Sequence, residues 1–239
     1  MRFLTNAGCV ALIFVHAGFA QVAGTASISG QIVSAVGHPV RAIVSLQFSG
    51  PRRFPSASRR TFTAQDGTFA FQRLTPGQYL VCAQIPQSEG ARSAAPFLDT
   101  CSWGSSQGPI PLAAGQQLVG ITFAAPKGAL LQVRINDPGQ VLPQAVSAIG
   151  PSPLEPEIQV VVRGSDRRAH HAQFVSKDAG GRNYQIVIPL NTALGLTVSS
   201  TVGNVLDSTG SPIQAEVGLQ PATGATLNPV AFTVQRKAN

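Results

Sequence analysis

Residues 37–48, GHPVRAIVSLQF, carry the pattern that decides the fold. Apolar side chains recur at every second position from Val40 to Phe48, and most of the positions between them are polar. This alternation is typical of a β-strand that buries one face, because successive side chains of a strand point to opposite sides. The sequence therefore predicts a half-buried strand from Val40 to Phe48, entered through a turn at Gly37 and Pro39.

The next stretch, residues 61–83, reads TFTAQDGTFAFQRLTPGQYLVCA and adds further strands. Asp66 and Gly67 stand between two alternating segments, and an Asp-Gly pair in this setting favours a hairpin. The pattern predicts a hairpin of residues 61–64 and 68–71, followed by a strand from Tyr79. With strands expected near both ends of the segment 25–124, there are about seven strands in a hundred residues, which favours a β-sandwich.

These residues resemble the carboxypeptidase regulatory-like domain, which belongs to the transthyretin-like sandwiches. The shared elements are G-x-P-V-x-A-x-V-x-L from Gly37, D-G-x-F-x-F from Asp66 and L-x-P-G-x-Y-x-V from Leu74. The resemblance is clear over residues 25–125 and weak over 126–239. It implies an accessory or binding module that is often exported, and it supplies no catalytic residues.

Hydrophobic residues make up 44% of the chain, which is enough to fill a core. The whole chain is predicted to be all-β, because it is rich in Val, Thr, Ser, Gly and Pro and no long segment has a helical period. A boundary is expected at Pro126 and Lys127, after which a second, divergent set of strands begins. The expected organisation is two tandem Ig-like or transthyretin-like antiparallel β-sandwiches behind a signal peptide, with the divisions 1–20, 21–126 and 127–239.

One internal match stands out. The spacing G-x-P-V-x-A-x-V-x-L at residues 37–46 returns at 210–219 with isoleucine in place of the first valine. Two interpretations are open: a turn-plus-strand unit used twice, or the ordinary statistics of β-hairpins.

The first twenty residues have the features of a secretory signal peptide. Arg2 supplies positive charge, an apolar run extends from Cys9 to Val15, and the small residues Gly18 and Ala20 precede the expected cleavage site. A membrane anchor or a lipid-modified Cys9 are the alternatives, but the apolar run is shorter than a spanning helix needs. The expected location is secreted or periplasmic, with no transmembrane segment after cleavage.

Two cysteines, Cys82 and Cys101, remain in the mature chain. In an exported protein this pair predicts one disulfide, which would hold the long loop after residue 86 against the outer face of the sheet. Two free buried thiols are the alternative.

A basic loop at residues 49–60 contains four arginines, and the chain carries a formal net charge of +7. Such a loop attracts acidic polymers, but nucleic acid is not the expected partner because the protein is predicted to be exported. Solvated arginines that only confer solubility are the other interpretation. The candidate ligand-binding arginines are Arg52, Arg53, Arg59 and Arg60.

Trp103 and Phe97 lie in the long loop and are candidate platforms for stacking a sugar. The alternative is that Trp103 packs against the sheet beside the disulfide.

Residues for catalysis or metal binding are sparse. Ser165, Asp166, His170 and His171 are close in sequence, but adjacent histidines of a strand face opposite sides, and HExxH does not occur. The sequence thus predicts no enzyme, no metal and no cofactor, with a small hydrolase at these residues as a remote alternative.

The leading interpretation is an exported, non-catalytic structural or interaction module. It presents loops to a protein or polysaccharide of the cell envelope. A carbohydrate-binding module that uses Trp103 is the second interpretation.

Overall fold

The computed structural model describes residues 26–49, 58–86, 96–104, 108–143, 157–213, 216–222 and 227–237. The predicted signal peptide, Arg52 and Arg53 lie outside these ranges. No helix within them is long and apolar enough to cross a membrane.

The first half of the chain forms a sandwich of two sheets. One sheet has the order β4-β1-β7 and the other the order β3-β2-β5-β6. Their strands are β1 (Ala26–Ser34), β2 (Ile43–Phe48), β3 (Arg59–Phe62), β4 (Thr68–Leu74), β5 (Gly77–Gln84), β6 (Ile110–Leu112) and β7 (Gln117–Ala125). A single-turn helix, α1 (Thr100–Trp103), lies between β5 and β6.

The second half forms another sandwich. Its sheets have the orders β11-β12-β8-β16-β14 and β10-β9-β13-β15. The strands are β8 (Gly128–Asn136), β9 (Ile158–Arg163), β10 (Ala169–His171), β11 (Gln173–Asp178), β12 (Gly181–Pro189), β13 (Leu194–Ser200), β14 (Gly203–Leu206), β15 (Val217–Leu219) and β16 (Val230–Arg236).

The all-β prediction is confirmed, with one difference in strand direction. The pairs β1–β7 and β8–β16 are parallel, whereas the other pairs among the described strands are antiparallel. Each sandwich has its own hydrophobic core, and Ile28, Leu46 and Leu131 are among the side chains fully buried in these cores. Removal of this apolar surface from water is the main force that holds the sheets together.

The sheet orders show that the second sandwich repeats the first. The set β4-β1-β7 corresponds to β12-β8-β16, and in both sets the central strand has one antiparallel and one parallel neighbour. The set β3-β2-β5-β6 corresponds to β10-β9-β13-β15. Strands β11 and β14 are additions at the two edges.

The internal sequence match is a turn used twice, at positions that do not correspond in the repeat. Gly37 and Gly210 both have φ +83°, and the turns close through Ser34 N to His38 O at 2.7 Å and Asp207 N to Ser211 O at 2.9 Å. The first turn leads from β1 to β2, whereas the second leads from the added strand β14 to β15.

Two local predictions need correction. The strand expected from Val40 begins at Ile43, because Val40 N still donates to Ile32 O at 3.0 Å while the chain crosses between sheets. The expected hairpin has the predicted turn, with Ala64 N donating to Thr68 O at 2.8 Å, but its arms separate. Strand β3 pairs with β2, and β4 pairs with β1 in the other sheet.

Candidate functional site

Residues 96–104 form a segment, here called the strap, that touches both sandwiches. Its helix α1 is capped by Asp99, whose Oδ1 atom accepts from Cys101 N at 2.8 Å and Ser102 N at 3.2 Å. The other carboxylate oxygen accepts from Gln84 Nε2 at 2.9 Å. An aspartate satisfies the free N–H groups at a helix start, which explains why a helix this short forms here.

The strap is fixed to the outer face of β5. Cys82 and Cys101 form the predicted disulfide, with their Cα atoms 4.9 Å apart. Next to it, Thr100 Oγ1 accepts from Ala83 N at 2.8 Å and donates to Ala83 O at 3.2 Å. The covalent bond and this paired hydrogen bond together set the position of the strap on the first sandwich.

The end of the strap reaches the second sandwich. The Trp103 ring stacks on the His170 ring of β10, with centroids 3.7 Å apart and planes inclined by 16°. Trp103 Nε1 donates to Val187 O of β12 at 2.9 Å, and Ser102 Oγ lies 3.1 Å from His170 Nδ1. Trp103 also packs against the core of the second sandwich. We refer to the strap together with Lys127, Gly128, His170 and Val187 as the joint.

The connection between the sandwiches passes along the same strap. Leu98 N donates to Pro126 O at 2.9 Å, and Gly128 N donates to Pro96 O at 2.9 Å. Lys127 Nζ lies 3.3 Å from the centroid of the Phe97 ring, a cation–π contact. Burial in the joint lowers the pKa of Lys127 below its usual value.

His170 is 6% exposed, and the pKa of its imidazole is lowered mainly by this burial. The charges of Asp166 and Asp99 raise the pKa, while those of Arg168 and His171 lower it. Because burial is the largest of these effects, the neutral form of the ring is favoured in the joint.

Trp103 and Phe97, the predicted sugar platforms, both contact other side chains of the protein. One face of Trp103 is covered by His170, its N–H is used by Val187, and a face of Phe97 is covered by Lys127. Both side chains are partly buried. Sugar binding at Trp103 therefore stays a prediction that no contact in the joint favours.

The described arginines of the basic loop lie on β3 and are exposed. Arg59 donates through its guanidinium to Gln72 O at 2.6 Å and Arg73 O at 3.4 Å. Strand β2 separates β3 from β5, to which the strap is fixed. A ligand role for Arg59 and Arg60 remains a prediction, as it does for Arg52 and Arg53.

The residues of the hydrolase alternative do not form one constellation. His170 is buried and His171 exposed, as expected for neighbours on a strand, and the hydroxyl beside His170 belongs to Ser102, not to Ser165. Asp166 instead accepts from Arg168 N at 3.1 Å and pairs with the Arg168 guanidinium at 3.5 Å. Within the described ranges, no group of three potential metal ligands occurs.

Comparison with known proteins gives only distant structural likenesses. No family model matches the sequence, and no curated protein matches it significantly. A streptococcal ancillary pilin aligns at 11% identity and a TM-score of 0.39 over 89% of this chain and 63% of its own. The Bacillus anthracis TIE protein aligns at 11% and 0.31 over 88% and 34%.

A DUF3823 family protein from Bacteroides uniformis aligns at 12% identity and a TM-score of 0.32 over 82% of this chain and 98% of its own. The chain thus spans about a third of the TIE protein and less than two thirds of the pilin. Likenesses at these TM-scores carry no inference about function.

Proposed function

We propose that this protein is an exported, non-catalytic interaction module whose two sandwiches act as one rigid body. The rigid body holds loops in a fixed arrangement for a protein or glycan of the cell envelope. In this proposal the first sandwich is a carboxypeptidase regulatory-like domain that ends at residue 126, and the second sandwich extends from residue 127.

The joint is the observation that carries the proposal. The tryptophan and the one histidine that is buried among the described residues are engaged in contact between the sandwiches. A disulfide fixes the strap that carries this tryptophan. Domains that only share a tether move freely, and a packed contact between them restricts that movement. Because Trp103 and His170 contact each other between the sandwiches, we assign them a structural role and not a catalytic one.

The expected export of the protein supports the same proposal. The segment 1–20 has the features of a secretory leader, and a disulfide persists in the oxidising compartments that such a leader gives access to. Mass spectrometry of the mature protein is expected to find an N-terminus at Gln21 and no free thiol. A cytoplasmic protein that retained residues 1–20 would contradict the exported role.

Small-angle X-ray scattering tests the rigid arrangement. The native protein is expected to fit a single conformation, whereas Trp103→Ala is expected to need an ensemble with a larger radius of gyration. Val175→Ala, which removes an exposed side chain of β11, serves as the control and should scatter like the native protein. Native scattering that already requires an ensemble would overturn the proposal.

A further inference from the structure

An open cleft of about 690 Å³ lies on the outer face of the sheet β4-β1-β7, away from the joint. Because side chains alternate along a strand, the residues that form its floor are those that point away from the core. Those floor residues are Ser29, Gln31, Thr68, Ala70, Gly120 and Thr122.

The wall of the cleft is Phe62, the last residue of β3, which is 77% exposed. The next residue explains this exposure. Thr63 is buried, with its N–H donating to Ala42 O at 3.0 Å and its Oγ1 accepting from Ala42 N at 2.9 Å. Since neighbouring residues of an extended chain face opposite sides, the inward Thr63 turns Phe62 toward solvent. Within the described ranges, Phe62 is the only aromatic side chain that is exposed.

Two residues of the floor on the strands that flank β1 are small, which leaves space above the sheet. Gly120 has φ +73°, in a bulge where the pairing of β7 with β1 shifts register, and a side chain there would meet no atom within 4 Å. Ala70 lies on β4, on the other side of β1. The result is a depression whose size lies in the range of small-molecule sites, which is about 300–1,000 Å³.

The chemistry of the lining is neutral. None of the lining side chains carries a charge, in a chain of net charge +7. The polar groups are the hydroxyls of Ser29, Thr61, Thr68 and Thr122 and the amide of Gln31. Thr68 Oγ1 donates to Asp66 Oδ1 at 2.7 Å, so toward a ligand it acts as an acceptor. Gln31 Nε2 donates to Asp66 O at 2.6 Å, a bond that orients the side chain and uses its amide N–H, while its carbonyl oxygen is an acceptor.

We propose that this cleft binds a neutral carbohydrate, with the C–H face of one sugar ring on Phe62 and its hydroxyl groups on the floor. An aromatic ring with a few hydroxyl and amide groups matches a sugar, which has one apolar face and a rim of hydroxyls. A polyanion would need cations that the lining does not contain. The inference deepens the glycan alternative of the proposed function and places the site on the first sandwich.

Affinity electrophoresis and calorimetry with laminarin, xyloglucan and galactomannan test the proposal on the native mature protein. At least one of these polysaccharides is expected to bind, with an affinity that stays constant between about 50 and 500 mM salt because no charge is screened. Phe62→Ala should weaken binding at least tenfold, and Phe62→Tyr should retain it. Ala70→Arg, which places a large side chain in the cleft from β4, should also abolish binding.

Val36→Ala is the matched control, because Val36 is 78% exposed and lies outside the cleft. Its affinity should equal that of the native protein. Failure of all three polysaccharides to bind, or equal binding by Phe62→Ala, would overturn the inference. Binding of polygalacturonate alone, lost at high salt, would overturn it too and would indicate the arginines instead. The scattering test of the rigid arrangement does not involve the cleft, so the two proposals fail separately.

Discussion

At the scale of single residues, His170 links the charge state of one side chain to the contact between the sandwiches. Its ring covers Trp103, and its Nδ1 atom lies beside Ser102 Oγ. The charged and titratable groups that act on it are Asp166, Arg168, Asp99 and His171. Protonation would place a positive charge in a site that burial has made unfavourable for it.

This arrangement predicts a loss of stability in mild acid. Because the pKa of His170 is lower in the folded protein than its ordinary value of 6.5, the unfolded chain binds more protons near that pH. The contribution of His170 is therefore complete above about pH 6.5, decreases as the pH falls below that value, and levels off below the folded pKa. Urea midpoints measured at pH 8, 7, 6 and 5 with Trp103 fluorescence should show this decrease.

Two variants isolate the contribution of this residue. His170→Phe keeps a ring against Trp103 but does not titrate, so the decrease in midpoint between pH 7 and 5 should become smaller. His38→Gln removes an exposed histidine of the first sandwich, outside the joint, and should leave the decrease unchanged. An identical pH dependence in the native protein and His170→Phe would show that His170 does not couple the joint to pH.

Two turn glycines provide a second residue-scale prediction. Gly37 and Gly67 have φ of +83° and +76°, which L side chains adopt only with strain. A Cβ atom at Gly37 would meet nothing, whereas one at Gly67 would lie 2.5 Å from Ile32 O. Gly37→Ala should cost about 1 kcal/mol of unfolding free energy from strain alone, and Gly67→Ala at least twice as much. Urea unfolding compares them, and equal costs would contradict the expected clash.

At the scale of elements, the strap depends on its disulfide. The sequence separation of 19 residues corresponds to a stabilisation of about 3 kcal/mol in the chain-entropy model. The double variant Cys82→Ala, Cys101→Ala should lose about this much in urea unfolding followed by circular dichroism. It should also shift Trp103 emission to longer wavelength, because the strap is then held to β5 by hydrogen bonds alone.

Thr100→Val provides the comparison within the same element. It keeps the disulfide but removes the Thr100 hydroxyl that accepts from Ala83 N. The buried N–H is then without its partner, which should lower the free energy of unfolding by about 1–2 kcal/mol. The Trp103 emission of this variant should resemble that of the native protein. A cysteine-free protein with native emission would show that the strap holds its place without the covalent bond.

The sequence predicts the turn between β3 and β4 correctly, but it does not predict which strands these two pair with. Asp66 and Gly67 correctly indicate a turn, because glycine at positive φ is a local requirement. Whether the strands on either side pair with each other depends on the sheet that each of them joins. Here β3 pairs with β2 in one sheet, and β4 pairs with β1 in the other. A turn motif contains no information about that choice, so the predicted hairpin is wrong although its turn is right.

The same distinction explains what could be predicted of the site. The pairing of Cys82 with Cys101 follows from composition, since no other cysteine remains after the predicted signal cleavage. The contact of Trp103 with His170 joins residues far apart in sequence and depends on how the two sandwiches meet. Alternation on β10 predicts only that His170 and His171 face opposite sides. The sequence therefore does not indicate that His170 is the one that contacts Trp103.

At the scale of the whole molecule, the two sandwiches share the same order of seven strands, to which the second adds β11 and β14, although only the first carries the full set of motifs. The motifs mark turns, and turns vary between the two halves. The sheet order follows from alternating burial on strands such as β1 and β8, which both halves retain. The alternation therefore predicts the same fold for both halves, whereas the motifs that carry the family resemblance are complete only in the first.

Two separate cores joined by one strap predict that unfolding is coupled through Trp103. In the native protein, calorimetry should give a single transition, because loss of either sandwich removes a partner of the joint. Trp103→Ala removes the stack and the hydrogen bond to Val187, together worth about 2 kcal/mol, and should separate the transition into two. Val36→Ala should keep one transition. Two transitions in the native protein would mean that the joint positions the sandwiches without coupling their stabilities.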